Sequence, residues 1–156
     1  MRGKMKRLFT ALISLVLVFV MLLPGTVVLA SKKSGSGSDS TVTVEENGHY
    51  TSKEEVALYI HTYGKLPANY ITKRDAEDQG WDSRSGNLDS VLPGMSIGGS
   101  HFGNYEGQLP DKNGRKYYEC DIDYVSGYRN SKRIIYSNDG LIFYTEDHYQ
   151  TFEQLY

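Results

Sequence analysis

The chain has 156 residues, a single cysteine, 39% hydrophobic residues and a formal net charge of −2. One cysteine excludes an intramolecular disulfide framework, and the sequence holds neither the Cys/His spacing of a zinc site nor the acidic loop of a calcium site. Of the 17 Lys and Arg residues, Arg2, Lys4, Lys6 and Arg7 stand at the amino end, so 13 basic residues face 19 acidic ones over 31–156; that balance of −6 excludes broad nucleic-acid binding through a basic surface.

In chain order, the four early cations precede an uncharged run from Leu8 to Leu23, then Pro24-Gly25 and the small-residue context Val28-Leu29-Ala30. This is the layout of a secretory signal over 1–30, cleaved after Ala30; the competing reading is an uncleaved anchor, since the uncharged stretch is long enough to span a bilayer. Residues 31–48, rich in Ser and Gly, read as a linker or pro-segment that does not pack. The remaining 49–156 is the size of one domain with one core.

Within that domain Ser52-Lys53-Glu54-Glu55 opens a helix as a capping box, with Val56, Tyr59, Ile60 and Tyr63 on one face and Gly64 as the stop. A second helix starts at Thr72, has Asp75 three residues on and stops near Gly80; it puts Lys73 in its first turn, a poor place for a cation unless an anion meets it there. Asn87-Leu88-Asp89 starts a short third helix that Pro93-Gly94 ends. Ser96 to Gly99 reads as a first strand, followed by a loop from His101 to Gly107.

Three strands follow, Tyr117–Ile122, Lys132–Tyr136 and Leu141–Tyr144, the last two joined by a tight turn at Ser137-Asn138-Asp139-Gly140. Alternation puts Glu119 and Asp121 on one face of the first of these, expected wet, and Tyr118, Cys120 and Ile122 on the other, expected dry. Cys120 is therefore a buried thiol and not a nucleophile. Helices first and strands second is the α+β pattern: helices on one face of an antiparallel sheet, the other face free for a ligand. If Arg133 shares the face of Glu119, then Glu119, Arg133, Arg129 and His148 place an acid, a base and cations around one hollow. A different chemistry fits Glu119 and Asp121 alone, since about 7 Å of strand between two carboxylates matches an inverting glycosidase. A binding module without catalysis is the third possibility.

The run YYECDIDY, together with KLPANYITK, GNL, PG.SIGG and DHYQTF, resembles the barnase-like family of secreted, guanine-preferring bacterial ribonucleases, in register from about Val56 to Tyr156. The resemblance implies RNA bound on the open sheet face and cleaved after guanine to a 2′,3′-cyclic phosphate, which is then hydrolysed. It implies Glu119 as general base, His148 as general acid, Lys73, Arg129 and Arg133 around the phosphate, and Asp121 holding the two arginines. In the matching loop, backbone amides near Asn104 and Tyr105 meet guanine O6, Glu106 accepts from the base, and Tyr149 stacks on it. His49, His61 and His101 match no catalytic position and are expected at the surface or in packing.

The same resemblance implies no cofactor and no metal. It implies a secreted monomer acting on RNA and not DNA, free of the membrane once the signal is cleaved, and with a barstar-like protein inhibitor as a possible partner. The chain departs from the family at Tyr105, where the pattern has arginine, at Gly103, where it has serine, and at Ser100, where it has aspartate.

Overall fold

The computed structural model of the protein describes residues 27–28 and 41–156, so most of the expected signal and the expected linker up to residue 40 lie outside the described residues. Strand β1 (Val27–Val28) pairs antiparallel with β2 (Thr43–Val44). Helix α1 (Lys53–Tyr63) opens on the expected capping box: Ser52 Oγ accepts from the Glu55 amide at 3.4 Å and donates to Glu55 Oε2 at 2.6 Å. It ends at Gly64, whose N–H donates to the Ile60 carbonyl at 2.8 Å.

The buried part of α1 is wider than one stripe and runs unbroken from Val56 to Ile60. The cause lies in residues 42–46, which pack instead of standing apart as a linker. Val44, fully buried, joins Leu58 and Tyr59 in one apolar cluster, while the Tyr59 hydroxyl donates to the Glu46 carbonyl at 2.6 Å and Lys65 meets Glu46 at 2.8 Å. A helix covered on two sides needs two apolar faces. The expectation of a non-packing segment through residue 48 is thus corrected for 42–46.

The other elements are β3 (Tyr70–Ile71), α2 (Lys73–Asp78), α3 (Leu88–Val91), β4 (Ser96–Phe102), β5 (Tyr117–Asp121), β6 (Arg133–Ser137), β7 (Ile142–Thr145) and β8 (Glu153–Gln154). They form one six-stranded sheet in the order β3-β4-β5-β6-β7-β8. All its pairs are antiparallel except β3–β4, which is parallel, so the expectation of a wholly antiparallel sheet is corrected at that edge. Asn69, 1% exposed, sets the edge: its side chain bonds both backbone groups of Tyr50, and its carbonyl accepts from Ser96 at 2.8 Å.

Strand β4 also runs through His101 and Phe102, where a loop was expected. Its register shifts between Gly98 and Ser100, with Gly99 at φ 89° as the extra residue of a bulge that only glycine adopts without strain.

One face of the sheet is apolar. Cys120, Ile134, Ile142 and Tyr144 meet Val56, Ala57 and Ile60 of α1, and burial pushes the Cys120 thiol far up, which makes it packing and not a nucleophile. The opposite face is divided. Tyr117, Ile135 and Phe143 lie under Leu109, with Phe102, Tyr149 and Phe152 at the edge, and beside them stand Glu119, Asp121, Arg133 and Thr145. Asp121 is directly opposite Arg133, and Arg133 opposite Thr145. This half was expected to be wet and is not: Glu119 is 7% exposed, Asp121 1% and Arg133 2%. Loop side chains from outside the sheet close over it, and strand alternation carries no information about them.

Burial of Val44 makes the amino-terminal arm part of the cooperative unit. Val44→Ala is expected to lower the unfolding free energy by about 2 kcal/mol in urea melts. A loss below about 0.5 kcal/mol would return the arm to the status of a linker.

Candidate active site

At the centre of the charged half-face, Asp121 holds two guanidinium groups. Arg129 donates from Nε to Oδ2 at 2.6 Å and from Nη2 to Oδ1 at 2.5 Å, a two-pronged pair that fixes the plane of the arginine. Arg133 Nε lies 3.0 Å from Asp121 Oδ1, but its N–H points off the oxygen, so the contact is an ion pair without a hydrogen bond; Nη1 donates to the Lys132 carbonyl at 2.7 Å. Burial works against the charge of Arg129, and the hydrogen bonds and charge of Asp121 more than restore it, so its pKa stands above the usual value.

Glu119 is the second carboxylate, and both of its oxygens are engaged. Lys73 Nζ donates to Oε1 at 2.7 Å, and the Tyr149 hydroxyl donates to Oε2. Burial pushes the Glu119 carboxyl up, but the hydrogen bonds from Lys73 and Tyr149, then the charges of Lys73 and Arg129, outweigh it and hold it below the ordinary glutamate value. The side chain is therefore held in its carboxylate form, the form that can accept a proton once one of its two donors gives way. Tyr149 is pushed the other way, by burial first and then by Glu119, so it stays a phenol and a donor. Lys73 sits in the first turn of α2 as expected, with Thr72 capping the helix, and Glu119 is the anion that compensates its position.

His148 is exposed on the loop after β7, and it shares a cavity of about 380 Å³ with Arg129 and Arg133. His148 and Tyr149 both have left-handed backbones, φ 58° and 72°, a conformation that costs non-glycine residues of order 1–3 kcal/mol each. Asp147 holds this turn. Its carboxylate accepts from Thr145 Oγ1 at 2.9 Å, the Gln150 amide at 3.0 Å, the Thr151 amide at 2.9 Å and Thr151 Oγ1 at 2.7 Å. Those bonds, led by the two from Thr151, hold its pKa down to about 2. Asp147 was not picked out from the sequence. The signal available was an Asp with a Thr four residues on, a pattern suited to side-chain capping of a turn.

The structure thus gathers Glu119, Lys73, Arg129, Arg133, Asp121 and Tyr149 into one network, with His148 on its rim beside the Tyr149 ring, 4.7 Å between centroids. The expected base-reading residues lie on the β4–β5 loop. Asn104, at φ 47°, bonds across that loop to both backbone groups of Leu109, whereas Tyr105 and Glu106 are exposed and make no hydrogen bond from their side chains. The other histidines stay outside the network: His61 stacks on Tyr156 at 4.1 Å, His101 meets the edge of Tyr118 at 6.2 Å and His49 is exposed. A second hollow of about 350 Å³, on the helix side of the sheet between His61, Gly64, Tyr118 and Tyr136, is lined by no Lys or Arg. Among the described residues no cluster of His, Cys, Asp and Glu is placed to hold a metal.

An ionised carboxylate, an accessible imidazole and three fixed cations on one sheet face are the equipment of an acid–base hydrolase site for an anionic ester. A family profile described as ribonuclease matches residues 52–156. The chain is 53% identical over 100 residues to a protein named Ribonuclease from Heyndrickxia coagulans, covering 64% of this chain and 92% of that one. It is also 53% identical over 100 residues to a Ribonuclease from Bacillus intermedius, there covering 62% of the relative's length. A Guanyl-specific ribonuclease St from Saccharopolyspora erythraea is 42% identical over 55 residues, 35% of this chain and 54% of that protein. The chain belongs to the barnase-like family of bacterial ribonucleases and is a ribonuclease.

Two outcomes follow from the electrostatics. Lys73→Ala removes the strongest influence holding the Glu119 carboxyl down and leaves the burial that pushes it up, so the acid limb of the pH profile of kcat/KM moves to higher pH. An unmoved limb would assign that limb to another group. For Asp147 the folded pKa is depressed, so its contribution to stability is complete above about pH 4 and is lost as pH falls toward about 2. Asp147→Asn is therefore less stable than wild type at neutral pH, and in thermal melts the gap narrows between about pH 4 and 2.

Proposed function

We propose that the protein is a secreted endoribonuclease that cleaves single-stranded RNA, preferentially after guanosine, without a metal. RNA lies on the sheet face that carries Glu119. Glu119 takes the proton of the 2′-hydroxyl, which displaces one of its two present donors, and the 2′-oxygen attacks phosphorus. The P–O5′ bond breaks, and His148 gives its proton to the departing 5′-oxygen. Lys73, Arg129 and Arg133 meet the charge on the pentavalent phosphorus, with Asp121 keeping both guanidiniums in place. The 2′,3′-cyclic phosphate is then opened by water: His148 takes the water proton, Glu119 returns one to the 2′-oxygen, and a 3′-phosphate remains.

The observation that carries this reading is the ionised Glu119, tied to Lys73 in the same network as the arginines that line the His148 cavity. Guanine preference rests on the β4–β5 loop: a free Glu106 carboxylate to accept from N1–H and the 2-amino group, backbone amides at Asn104 and Tyr105 for O6, and the Tyr149 ring for stacking. A named relative is guanyl-specific, which supports the same preference. The inverting-glycosidase alternative asks Asp121 to act on a water, and that carboxylate is 1% exposed and committed to two arginines. Secretion is proposed from the amino-terminal pattern of charge and apolar residues.

The test is cleavage of GpA, ApA and UpA in EDTA. Cleavage after G is expected to lead, with cyclic phosphate as the first product, and Glu119→Ala and His148→Ala to fall by about 10²- to 10⁴-fold in kcat. Guanylate binding with no cyclic product from the wild type would instead make the protein a binding module.

A further inference from the structure

The described residues expose four large hydrophobic side chains, and two of them are tyrosines at opposite ends of the site: Tyr105, 92% exposed, and Tyr128, 70% exposed. Tyr105 follows β4 where Phe102 pairs with Tyr117, at the start of β5. Tyr128 lines the cavity with Arg129, Arg133 and His148, near Asp121 at the other end of β5. Four residues of strand put these ends about 13 Å apart. Single exposed aromatics are ordinary on a protein surface. These two differ because both flank one charged site with a face left open, Tyr105 on a closed loop and Tyr128 tethered by its hydroxyl.

Tyr105 stands on a closed loop. Its ring passes over Gly103, where a Cβ would lie 2.3 Å from it, so a side chain at 103 would displace the exposed ring. The loop beneath is closed by Asn104, which receives from the Leu109 amide at 3.0 Å and donates to the Leu109 carbonyl at 2.9 Å. Gly103 and Tyr105, two departures from the family pattern, are thus in contact. Tyr128 is tethered through its hydroxyl, which donates to the Arg84 carbonyl at 3.1 Å. Its loop is locked in turn by Gly127, whose amide donates to Asp89 Oδ1 at 3.0 Å and whose carbonyl accepts from Tyr124.

The charges around the site explain why such platforms matter. Lys73, Arg129 and Arg133 are answered by Glu119 and Asp121, so the network carries a balance of only +1 within 31–156, whose balance is −6. Nearby cations are also paired, Lys132 with Asp123 at 2.9 Å and Arg84 with Asp82 at 3.4 Å. A field this weak gathers few phosphates, whereas an aromatic face stacks any base and does so with little dependence on salt.

We propose that Tyr105 and Tyr128 are stacking platforms for the bases that flank the scissile guanosine, so that the protein grips single-stranded RNA mainly by stacking and not by charge. This rests on the nuclease reading above. The closed loop under Tyr105 and the tether on Tyr128 reduce the conformational freedom lost when a base stacks there.

The test uses the full chain with two substrates: a uridine-rich octaribonucleotide holding one central guanosine, and guanosine 2′,3′-cyclic phosphate, which has no flanking nucleotide. Tyr105→Ala and Tyr128→Ala are each expected to lower kcat/KM on the octamer by about tenfold. That loss should exceed the loss on the cyclic phosphate at least fivefold, and Tyr105→Phe should recover most of it. From 0.05 to 0.5 M salt the wild-type octamer plot of log kcat/KM against log salt should have a slope shallower than about −1.5, the value for some two neutralised phosphates. Equal losses on both substrates would make the tyrosines structural. A slope of about −3 or steeper, with the alanine variants unimpaired, would assign binding to charge. Failure of the wild type to release a 2′,3′-cyclic phosphate from the octamer would instead overturn the cleavage reading, a result separate from any of these.

Discussion

The site depends on one buried carboxylate. Asp121 is 1% exposed and neutralises Arg129 and Arg133, the second of which is itself 2% exposed. Two guanidiniums brought that close on a dry sheet face repel each other and lose most of their hydration, and only an anion between them makes the arrangement tolerable. Removing one partner from such a cluster costs about 3–5 kcal/mol, chiefly because the other charge is left buried and alone. Asp121 can fill this position because the β5–β6 register sets it directly opposite Arg133, while the turn through Gly127 brings Arg129 back over it. Sheet register is thus converted into the spacing of two cations.

Glu119 stands two residues earlier on the same strand and has the opposite assignment. Where Asp121 is consumed by its partners, Glu119 is held by donors that a substrate can replace: a half-exposed lysine and a phenol from a strained turn. The strain at His148 and Tyr149 and the bonds Asp147 makes to relieve it belong to one design. A turn without that carboxylate would relax toward ordinary backbone angles, carrying the imidazole away from the arginines and the phenol away from Glu119. The proposed acid–base pair is therefore positioned from two directions, by register on one side and by a capped turn on the other.

What could be read from the sequence divides along the same line. The Ser52–Glu55 box, the Gly64 stop, the Asx-Gly turn at Asp139-Gly140 and the alternation that puts Cys120 in the core are local rules, and each holds in the structure. The parallel edge at Tyr70 was not legible, because a two-residue strand has no periodicity and Asn69 sets its pairing through bonds to Tyr50, far away in the chain. The wet reading of the Glu119 face failed for a related reason: alternation tells which face a side chain shares, not what later folds over it. Packing of Val44 on α1 was masked by a polar composition around one buried valine. Asp147 escaped notice because its role is to hold neighbours, and its chemistry is visible only as four bonds converging on one carboxylate.

The weak field of the site and the order inside it have one cause. Lys73, Arg129 and Arg133 each meet a carboxylate that orients them, so pre-organisation is reached by cancelling much of the field that would otherwise draw an anion from a distance. A more basic surface would speed encounter but would leave the arginines to repel one another when no substrate is present. On the reading proposed above, a site built this way gains its discrimination at contact range, through guanidiniums already aimed, a carboxylate already ionised and aromatic faces already exposed. The electrostatic work that would fall to the moment of binding is done when the sheet forms.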